Sequence, residues 1–117
     1  MQTNGNQGNN AQITINGGEI ISNNGVGIYK PDAGTLTING GKISGLTALY
    51  VKSGNTTITG GTFEGNGEKA EYKYDGNGGN PTGDALVVDN CGYPGGMPVL
   101  SITGGTFNSA NAAAIES

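Results

Sequence analysis

Histidine, arginine and tryptophan are absent from this chain of 117 residues, and charged residues make up only 12% of it. The lack of His removes the most common general base and excludes a serine–histidine catalytic triad. Five lysines stand against nine acids, for a net charge of -4, so the chain also lacks the Arg and Lys clusters that bind phosphate and read bases. We therefore expect no nucleic-acid partner.

Cysteine and long apolar runs are equally scarce. The single cysteine, Cys91, has no partner for an internal disulfide, so the fold does not depend on an oxidising compartment. We interpret Cys91 as a loop residue, with an intermolecular disulfide or a reactive thiol as the alternatives, although no activating His or Arg lies near it in sequence. No apolar segment approaches the length of a membrane-spanning helix, and we expect no membrane insertion.

Glycine, by contrast, is abundant, with 24 residues, and many of them belong to a repeated unit. The unit reads hydroxyl residue, Ile, polar residue, Gly-Gly, any residue, large apolar residue, and it occupies residues 14–20, 37–43, 57–63 and 101–107. This pattern favours two short strands joined by a corner that glycine fits most easily. Because such a unit cannot bury its apolar side alone, the repeat predicts a solenoid of stacked rungs.

Alignment of the four Gly-Gly corners predicts which residues stack on one another. Rungs measured from Gly17, Gly40, Gly60 and Gly104 are 23, 20, 44 and at least 14 residues long, and the third is long because of its loops. We expect a third strand in each rung, six residues after the apolar residue that follows Gly-Gly, except that 17 extra residues precede it in the third rung. The predicted inward columns are Ile13, Leu36, Thr56, Leu100; Ile15, Ile38, Ile58, Ile102; Ile20, Ile43, Phe63, Phe107; Val26, Leu49, Leu86, Ala113; and Ile28, Val51, Val88, Ile115.

These columns predict an all-β fold, a right-handed parallel β-helix (β-solenoid) of about four rungs of three short strands. The residues between the columns are mostly polar, which is the period-two alternation of half-buried strands. The right-handed coil follows from the crossover preference of parallel strands. We expect a polar lead-in at residues 1–11 and a single domain at 12–117, with loop insertions at about 64–83 and 90–98.

The units Ile-Thr-Gly-Gly-Thr-Phe and Ile-Asn-Gly-Gly-Lys-Ile, with the strands Ala-Leu-Tyr-Val and Ala-Leu-Val-Val, carry a resemblance. They resemble right-handed parallel β-helix proteins of the pectate-lyase-like class, especially the Gly-Gly repeat arrays of large secreted or surface-attached bacterial proteins. The resemblance covers about residues 12–117 and implies an extracellular or cell-surface location. It implies no single activity, because the same solenoid carries lyases, hydrolases, adhesins and inert stalks.

The same resemblance implies what an enzyme of this class would need on its outer strand face. Its lyases use acids around Ca²⁺ with an Arg or Lys base, and its hydrolases use a group of aspartates. The predicted outward rows are mixed instead: Glu19, Lys42, Thr62, Thr106 in one and Tyr29, Lys52, Asp89, Glu116 in another. We interpret Asp89, Glu116 and Lys52 as a solvated charge ladder. We expect no enzymatic activity, with a polysaccharide lyase or hydrolase as the alternative.

Tyrosines on the two loops are the candidate ligand-binding residues. Tyr72 and Tyr74 in the first loop and Tyr93 in the second offer flat amphipathic surfaces for a glycan or a protein partner. Exposed tyrosine is also ordinary on loops. A carbohydrate-binding or carbohydrate-processing β-helix is therefore the alternative to a structural role.

Oxygen-bearing side chains alternate in the first loop at Asp75, Asn77 and Asn80. This spacing is a candidate Ca²⁺ site, but the bidentate Glu of a calcium-binding loop is missing. We interpret the segment as a turn and expect no cofactor, with Ca²⁺ as the alternative.

A row of hydroxyl residues is predicted on one outer face, at Thr14, Thr37, Thr57 and Ser101, beside a second row at Asn16, Asn39, Thr59 and Thr103. Regular threonine rows on flat solenoid faces are the chemistry of ice-binding proteins. Thr is equally a favoured residue of outer strand faces. An ice-binding solenoid is the third hypothesis.

The two end rungs are predicted to be uncapped. Ile13 and Ile15 lie in the first rung, and Ile102, Phe107 and Ile115 in the last. An open rung presents unpaired backbone groups and apolar side chains, which form a template for another rung. The leading hypothesis is therefore a non-catalytic extracellular stalk or fibre segment. Its partners are further rungs of a longer chain or copies of itself, end to end.

Overall fold

The computed structural model describes residues 1–5, 10–71 and 80–116, and within them all regular structure is β-strand. The strands are β1 Gln12–Ile15, β2 Glu19–Ile21, β3 Val26–Lys30, β4 Thr35–Ile38, β5 Lys42–Gly45, β6 Thr47–Val51, β7 Asn55–Ile58, β8 Thr62–Gly65, β9 Leu86–Val88, β10 Val99–Ile102, β11 Thr106–Ser109 and β12 Ile115–Glu116. Three consecutive strands make one rung, so the first rung is β1 to β3 and the fourth is β10 to β12.

Each rung contributes one strand to each of three parallel four-stranded sheets. The first sheet contains β1, β4, β7 and β10 in that order, the second β2, β5, β8 and β11, and the third β3, β6, β9 and β12. Neighbours in a sheet therefore come from successive rungs, and all of these pairs are parallel. The predicted parallel β-helix of four rungs with three short strands each is confirmed.

The first two sheets have the predicted register. The paired columns are Ile13, Leu36, Thr56, Leu100; Ile15, Ile38, Ile58, Ile102; and Ile20, Ile43, Phe63, Phe107. In the last column the rings of Phe63 and Phe107 stack with centroids 4.7 Å apart and planes tilted by 6°. Identical or similar side chains thus lie directly over one another inside the tube.

The corner between the first two strands depends on both glycines in the second, third and fourth rungs, and the second rung shows why. Gly41, the second of its pair, has a φ of 94°, which L side chains rarely adopt. At Gly40, the first of the pair, an added Cβ would lie 2.7 Å from the carbonyl oxygen of Asn16 in the rung below. The first position therefore needs glycine for close rung stacking, and the second needs it for backbone conformation.

The third sheet differs from the predicted register by two residues in the first and last rungs. Ile28 pairs with Leu49, and Ile115 pairs with Leu86. The predicted partners of Leu49 and Leu86 in those two rungs, Val26 and Ala113, were wrong. The observed inward column is Ile28, Leu49, Leu86, Ile115.

The shift arises because the second corner is shorter in the second rung than in the first and fourth rungs. Leu49 follows Ile43 by six residues, whereas Ile28 follows Ile20 by eight. The short corner of the second rung passes through Gly45, where an added Cβ would lie 2.7 Å from the amide nitrogen of Gly27. A constant spacing of six residues was therefore the wrong assumption.

One consequence of the shift is that Lys30 takes an inward position, paired with Val51. Lys30 is only 2% exposed, and its Nζ lies 3.1 Å from Oδ1 of Asp32. The Nζ also donates to the carbonyl oxygens of Asp32 and Ser53, both at 2.9 Å. The buried ammonium is thus neutralised and hydrogen-bonded.

The apolar core lies in the two middle rungs and in β3 of the first rung. Its fully buried members include Ile28, Leu36, Ile38, Ile43, Leu49, Val51, Ile58, Phe63 and Leu86. Every residue of β1, β2, β10, β11 and β12 is only half-buried or exposed. Burial therefore declines toward both ends of the tube.

At the first rung, the start of the chain lies along the edge of the third sheet. Gln2 forms a parallel bridge with Tyr29 of β3, and the amide of Thr3 donates to the carbonyl oxygen of Tyr29 at 3.1 Å. This short segment covers the edge of β3.

Candidate functional site

The apolar end of the fourth rung is the first candidate site. We call Leu100, Ile102, Phe107 and Ile115 the last-rung surface. Ile102 is 40% exposed and Ile115 is 47% exposed, whereas their partners in the third rung, Ile58 and Leu86, are 0% exposed. The last-rung surface thus repeats the core pattern at a place where the described chain leaves it open.

The backbone of this rung is open on the same side. The amides of Val99 and Thr103 donate to the carbonyl oxygens of Gly54 and Ile58, both at 2.9 Å. Because alternate residues of a strand bond to opposite sides, the N–H and C=O groups of Leu100 and Ile102 point away from the third rung. Within the described residues, no strand pairs with this side of β10, β11 or β12.

The opposite end has the complementary form. Ile13 and Ile15 of β1 and Ile20 of β2 are half-buried, and no strand among the described residues pairs with the outer side of β1 or β2. Among the described residues, only β3 has a partner on this side, through the bridge to Gln2. The open edge of the last rung could therefore pair in parallel with the open edge of a first rung, as successive rungs do within the chain.

A polar groove of about 560 Å³ lies beside β12. Its lining includes Lys69, Thr82, Asp84 and Glu116. Asp84 is buried and accepts hydrogen bonds from Thr82 Oγ1 at 2.5 Å and from the amide of Ala113 at 2.7 Å. A hydrogen bond to Asp84, together with burial and the negative charge of Asp84, raises the pKa of Glu116 above its usual range.

The second candidate site lies on the outer face of the third sheet, under the loop that follows β9. We call Tyr29, Tyr50, Lys52, Asp89, Cys91 and Tyr93 the outer cluster. Tyr50 and Lys52 are 0% exposed, Asp89 is 1% exposed and Cys91 is 6% exposed. The loop therefore turns an outer sheet face into a second, mixed core.

Within the outer cluster a lysine and an aspartate meet away from solvent. Lys52 Nζ lies 3.5 Å from Asp89 Oδ2 and 3.4 Å from the hydroxyl of Tyr93, whose ring centroid is 4.7 Å away. The hydroxyl of Tyr50 donates to the same Asp89 oxygen at 3.4 Å. The prediction that Lys52, Asp89 and Glu116 form a solvated charge ladder was wrong. Glu116 pairs with Val87, and both Lys52 and Asp89 are buried.

Burial also sets the protonation of the remaining members. It raises the pKa of the Cys91 thiol, even though nearby Lys52 works in the opposite direction. Burial and the hydrogen bond to Tyr93 raise the pKa of Tyr29 well above its usual range, and the two hydroxyl oxygens are 3.1 Å apart. Cys91 is therefore held as a thiol and Tyr29 as a neutral phenol.

The predicted ligand-binding and metal-binding residues fall mostly outside what the structure describes. Tyr72, Tyr74, Asp75 and Asn77 all lie in the span 72–79. Asn80 is half-buried, and its side-chain amide donates to the carbonyl oxygen of Glu71 at 3.2 Å. Tyr93 is half-buried, with its ring on Lys52. The glycan and Ca²⁺ hypotheses stay predictions.

The predicted hydroxyl row is present as a geometric feature. Thr14, Thr37, Thr57 and Ser101 are in register on neighbouring strands. In the adjoining row, Asn39 Nδ2 donates to Asn16 Oδ1 at 2.9 Å, and Thr59 Oγ1 donates to Asn39 Oδ1 at 2.6 Å. The polar groups of this second row thus partly satisfy one another, and ice binding stays a prediction.

Within residues 1–5, 10–71 and 80–116, no three His, Cys, Asp or Glu side chains lie together as a metal-binding group. The same residues contain no helix with the length and apolar character needed to cross a bilayer.

The sequence predicted that Lys52 and Asp89 lie in one outward row, but it did not predict that they are buried in the outer cluster. Lys52 directly follows Val51 and Asp89 directly follows Val88, and these two valines pair in the third sheet. Opposite charges at equivalent positions of successive rungs indicate a cross-rung pair. The missing part was its burial, because the path of the covering loop is not visible in the sequence.

Comparisons of the chain with protein-family models, with curated proteins and with solved structures gave no match.

Proposed function

We propose that this chain is a non-catalytic structural segment of a β-solenoid stalk or fibre, which is continued end to end by a further rung. That rung belongs either to a longer chain of the same repeat or to a second copy. The observation that carries the proposal is the last-rung surface, where Ile102 and Ile115 are exposed beside an open strand edge. The first rung offers the matching edge, with Ile13 and Ile15 half-buried.

The expected strength of stacking follows from the area left open. Burying an Ile completely contributes about 1.5–3 kcal/mol, so covering the exposed parts of Ile102 and Ile115 contributes about 1 kcal/mol each. The half-buried Leu100 and Phe107 add a similar amount. Association of separate molecules costs about 4–15 kcal/mol of translational and rotational freedom. Separate copies should therefore stack weakly, and a rung joined covalently should stack well.

The proposed mechanism is mechanical. Parallel backbone ladders run along the tube axis in all three sheets, and the inward columns fill the tube between them. Bending the tube would break hydrogen bonds on one side and open the apolar columns to water. Such a segment works as a stiff spacer, and its polar outer rows keep it dissolved.

The proposal includes a place outside the cell or on its surface. The resemblance of the Gly-Gly units to arrays in secreted and surface-attached bacterial proteins supports this location. A carbohydrate-binding role remains the alternative, and its test is a glycan array with the Tyr72→Ala and Tyr93→Ala variants.

Sedimentation velocity over a wide range of protein concentration tests the stacking. We expect reversible association of the wild-type chain at high concentration. Ile102→Lys should abolish it, because a charge would have to be buried between rungs. Ser101→Lys is the matched control, since Ser101 is exposed on the outer face of the same strand. Equal association of the two variants, or a wild-type monomer at every concentration, would contradict stacking of separate copies.

A further inference from the structure

Residues 1–5, which we call the edge segment, lie where a strand of a further rung would lie. The amide of Tyr29 donates to the carbonyl oxygen of Met1 at 2.9 Å, and the amide of Thr3 donates to the carbonyl oxygen of Tyr29 at 3.1 Å. These two bonds flank the bridge between Gln2 and Tyr29, which is the pattern of a parallel ladder. The edge segment therefore continues the ladder of the third sheet beyond β3.

The register of the edge segment matches that of β12. The outward column that begins at the edge segment is Gln2, Tyr29, Tyr50, Val87, Glu116. Because side chains alternate along a strand, Met1 falls in the adjoining inward column, which continues with Ile28, Leu49, Leu86, Ile115. Gln2 thus has the place outside the first rung that Glu116 has in the fourth rung. Met1 corresponds in the same way to Ile115.

The edge segment closes the inward column of the third sheet at the first rung. Ile28 is 0% exposed, whereas Ile115, at the other end of the same column, is 47% exposed. Met1, which lies beyond Ile28, is itself 43% exposed. The nitrogen of Met1 also donates to the carbonyl oxygen of Gly27 at 2.7 Å. The edge segment therefore shields β3 from water as a neighbouring strand would.

Stacked copies have room for only one strand at this place. Neighbouring strands lie about 4.8 Å apart, and successive rungs follow one another directly in all three sheets. When β10 and β11 of one copy pair with β1 and β2 of the next, β12 reaches the place of the edge segment. The open side of β3 bonds to one strand at a time, so the two cannot both occupy it.

We propose that the edge segment is a removable cap on the strand site that β12 of a second copy takes when two copies stack. This role rests on the end-to-end stacking proposed above, and it names the step that limits stacking of separate molecules. The two strands compete for the same ladder in the same register. The cap belongs to the same molecule as β3, which gives it an effective concentration on the order of mM. A second copy therefore displaces it only at high protein concentration.

The cap can leave without taking β1 with it. Besides its backbone bonds, the cap is held by Thr3 Oγ1, which donates to Asp32 Oδ1 at 3.1 Å. The amide of Ala11 donates to the other oxygen of Asp32 at 3.1 Å, and the carbonyl oxygen of Ala11 accepts from the amide of Thr35 at 2.9 Å. These two bonds of Ala11 do not involve the cap, so they keep the chain before β1 attached to the first rung.

Sedimentation velocity of full-length variants with a loosened cap tests this competition. Thr3→Pro removes the amide that donates to Tyr29. Gly5→Val loosens the cap at a second place, because an added Cβ at Gly5 would lie 3.0 Å from Cβ of Pro31 and 3.2 Å from Cδ2 of Tyr93. Each variant should lower the protein concentration of half-association about tenfold, since a lost hydrogen bond and a steric clash both weaken the competing strand.

Gln2→Pro is the matched control. In the parallel ladder the amides of Met1 and Thr3 face β3, so the amide of Gln2 faces away from it. Proline is tolerated where the missing N–H lies on the outer side of an edge. The Gln2→Pro variant should therefore associate as the wild-type chain does.

Amide hydrogen exchange at Tyr29 identifies the strand that lies on β3. In dilute solution this amide should exchange about tenfold faster in Thr3→Pro than in the wild-type chain, because its acceptor on Met1 is released. At a concentration where Thr3→Pro associates, the exchange should slow again, because β12 of the second copy supplies a new acceptor. The amide of Lys52, which donates to the carbonyl oxygen of Lys30, should stay protected throughout and reports that the chain is folded.

The outcomes separate the cap from the stacking. Association that is unchanged in both Thr3→Pro and Gly5→Val, while the wild-type chain does associate, would overturn the cap and leave end-to-end stacking intact. Stronger association with the Tyr29 amide still in fast exchange would also overturn the cap, because β12 would then not lie on β3. A chain that stays monomeric in every variant would contradict the stacking of separate copies, and the cap would fall with it.

Discussion

An Ile-to-Ala substitution should destabilise the fold more in a rung that is covered on both sides than in a rung that is open on one side. Ile58 and Ile102 pair with each other, but the first is 0% exposed and the second is 40% exposed. A large-to-small change at a fully buried Ile costs about 2–5 kcal/mol, because it combines lost transfer free energy with a cavity. We expect about 3–4 kcal/mol for Ile58→Ala and about 1–2 kcal/mol for Ile102→Ala, whose side chain is already partly hydrated.

Urea unfolding at two protein concentrations measures both changes in the free energy of unfolding. In dilute solution the cost at Ile58 should exceed the cost at Ile102 by about a factor of two. At a concentration where copies stack, the cost at Ile102 should rise toward the value for Ile58, because the next rung then covers it. The cost at Ile58 should not change with concentration.

Equal costs for the two variants in dilute solution would refute the reasoning, because they would mean that Ile102 is already covered in the single chain. A cost at Ile58 below about 1 kcal/mol would also refute it, since such a value is typical of a surface position and not of a packed column.

Further predictions concern single positions. Thr56→Val should raise the free energy of unfolding by about 1–2 kcal/mol in urea titrations, because Thr56 Oγ1 is buried without a hydrogen-bond partner among the described residues. Gly41→Ala should lower the melting temperature more than Gly18→Ala. Both have positive φ, but only at Gly41 would the new Cβ meet a neighbour, 2.9 Å from the carbonyl oxygen of Gly18. The raised pKa of Glu116 stabilises the fold below its usual pKa of 4.5, so the free energy of unfolding should fall as the pH rises above 4.5. Glu116→Gln should reduce this fall, and a pH titration of stability checks it.

The fold was predictable because the repeat carries its own alignment. Ile15, Ile38, Ile58 and Ile102 each precede a Gly-Gly corner at the same spacing, so one register satisfies all four rungs. Backbone conformation at the glycines and burial of the isoleucines favour the same structure. Where local and tertiary preferences agree in this way, sequence alone is enough.

The third sheet was harder because its corner has no fixed marker. The step from Ile20 to Ile28 is two residues longer than the step from Ile43 to Leu49, and no Gly-Gly pair marks the difference. The tight passage at Gly45 became apparent only from the close approach of Gly27. Register that depends on corner length is therefore read less reliably than register tied to a repeated motif.

The burial of the outer cluster was not predicted, for a different reason. The pairing of Lys52 with Asp89 follows from the alternation of the strands, but their burial depends on the loop that carries Cys91 and Tyr93 across the sheet. Such a loop has neither periodicity nor a length rule. Side chains that it covers look in the sequence like ordinary exposed residues.

The continuous tube is tested most directly by a tandem chain in which residues 10–117 of a second copy follow Ser117. Between β12 and the second β1 this leaves a corner of three residues, 117, 10 and 11, which equals the corner 52–54 between β6 and β7. We expect a single unfolding transition at a higher temperature than that of one copy, and Ile102→Lys in the first copy should abolish the increase. Two halves that unfold independently, each at the melting temperature of the single chain, would contradict a continuous tube.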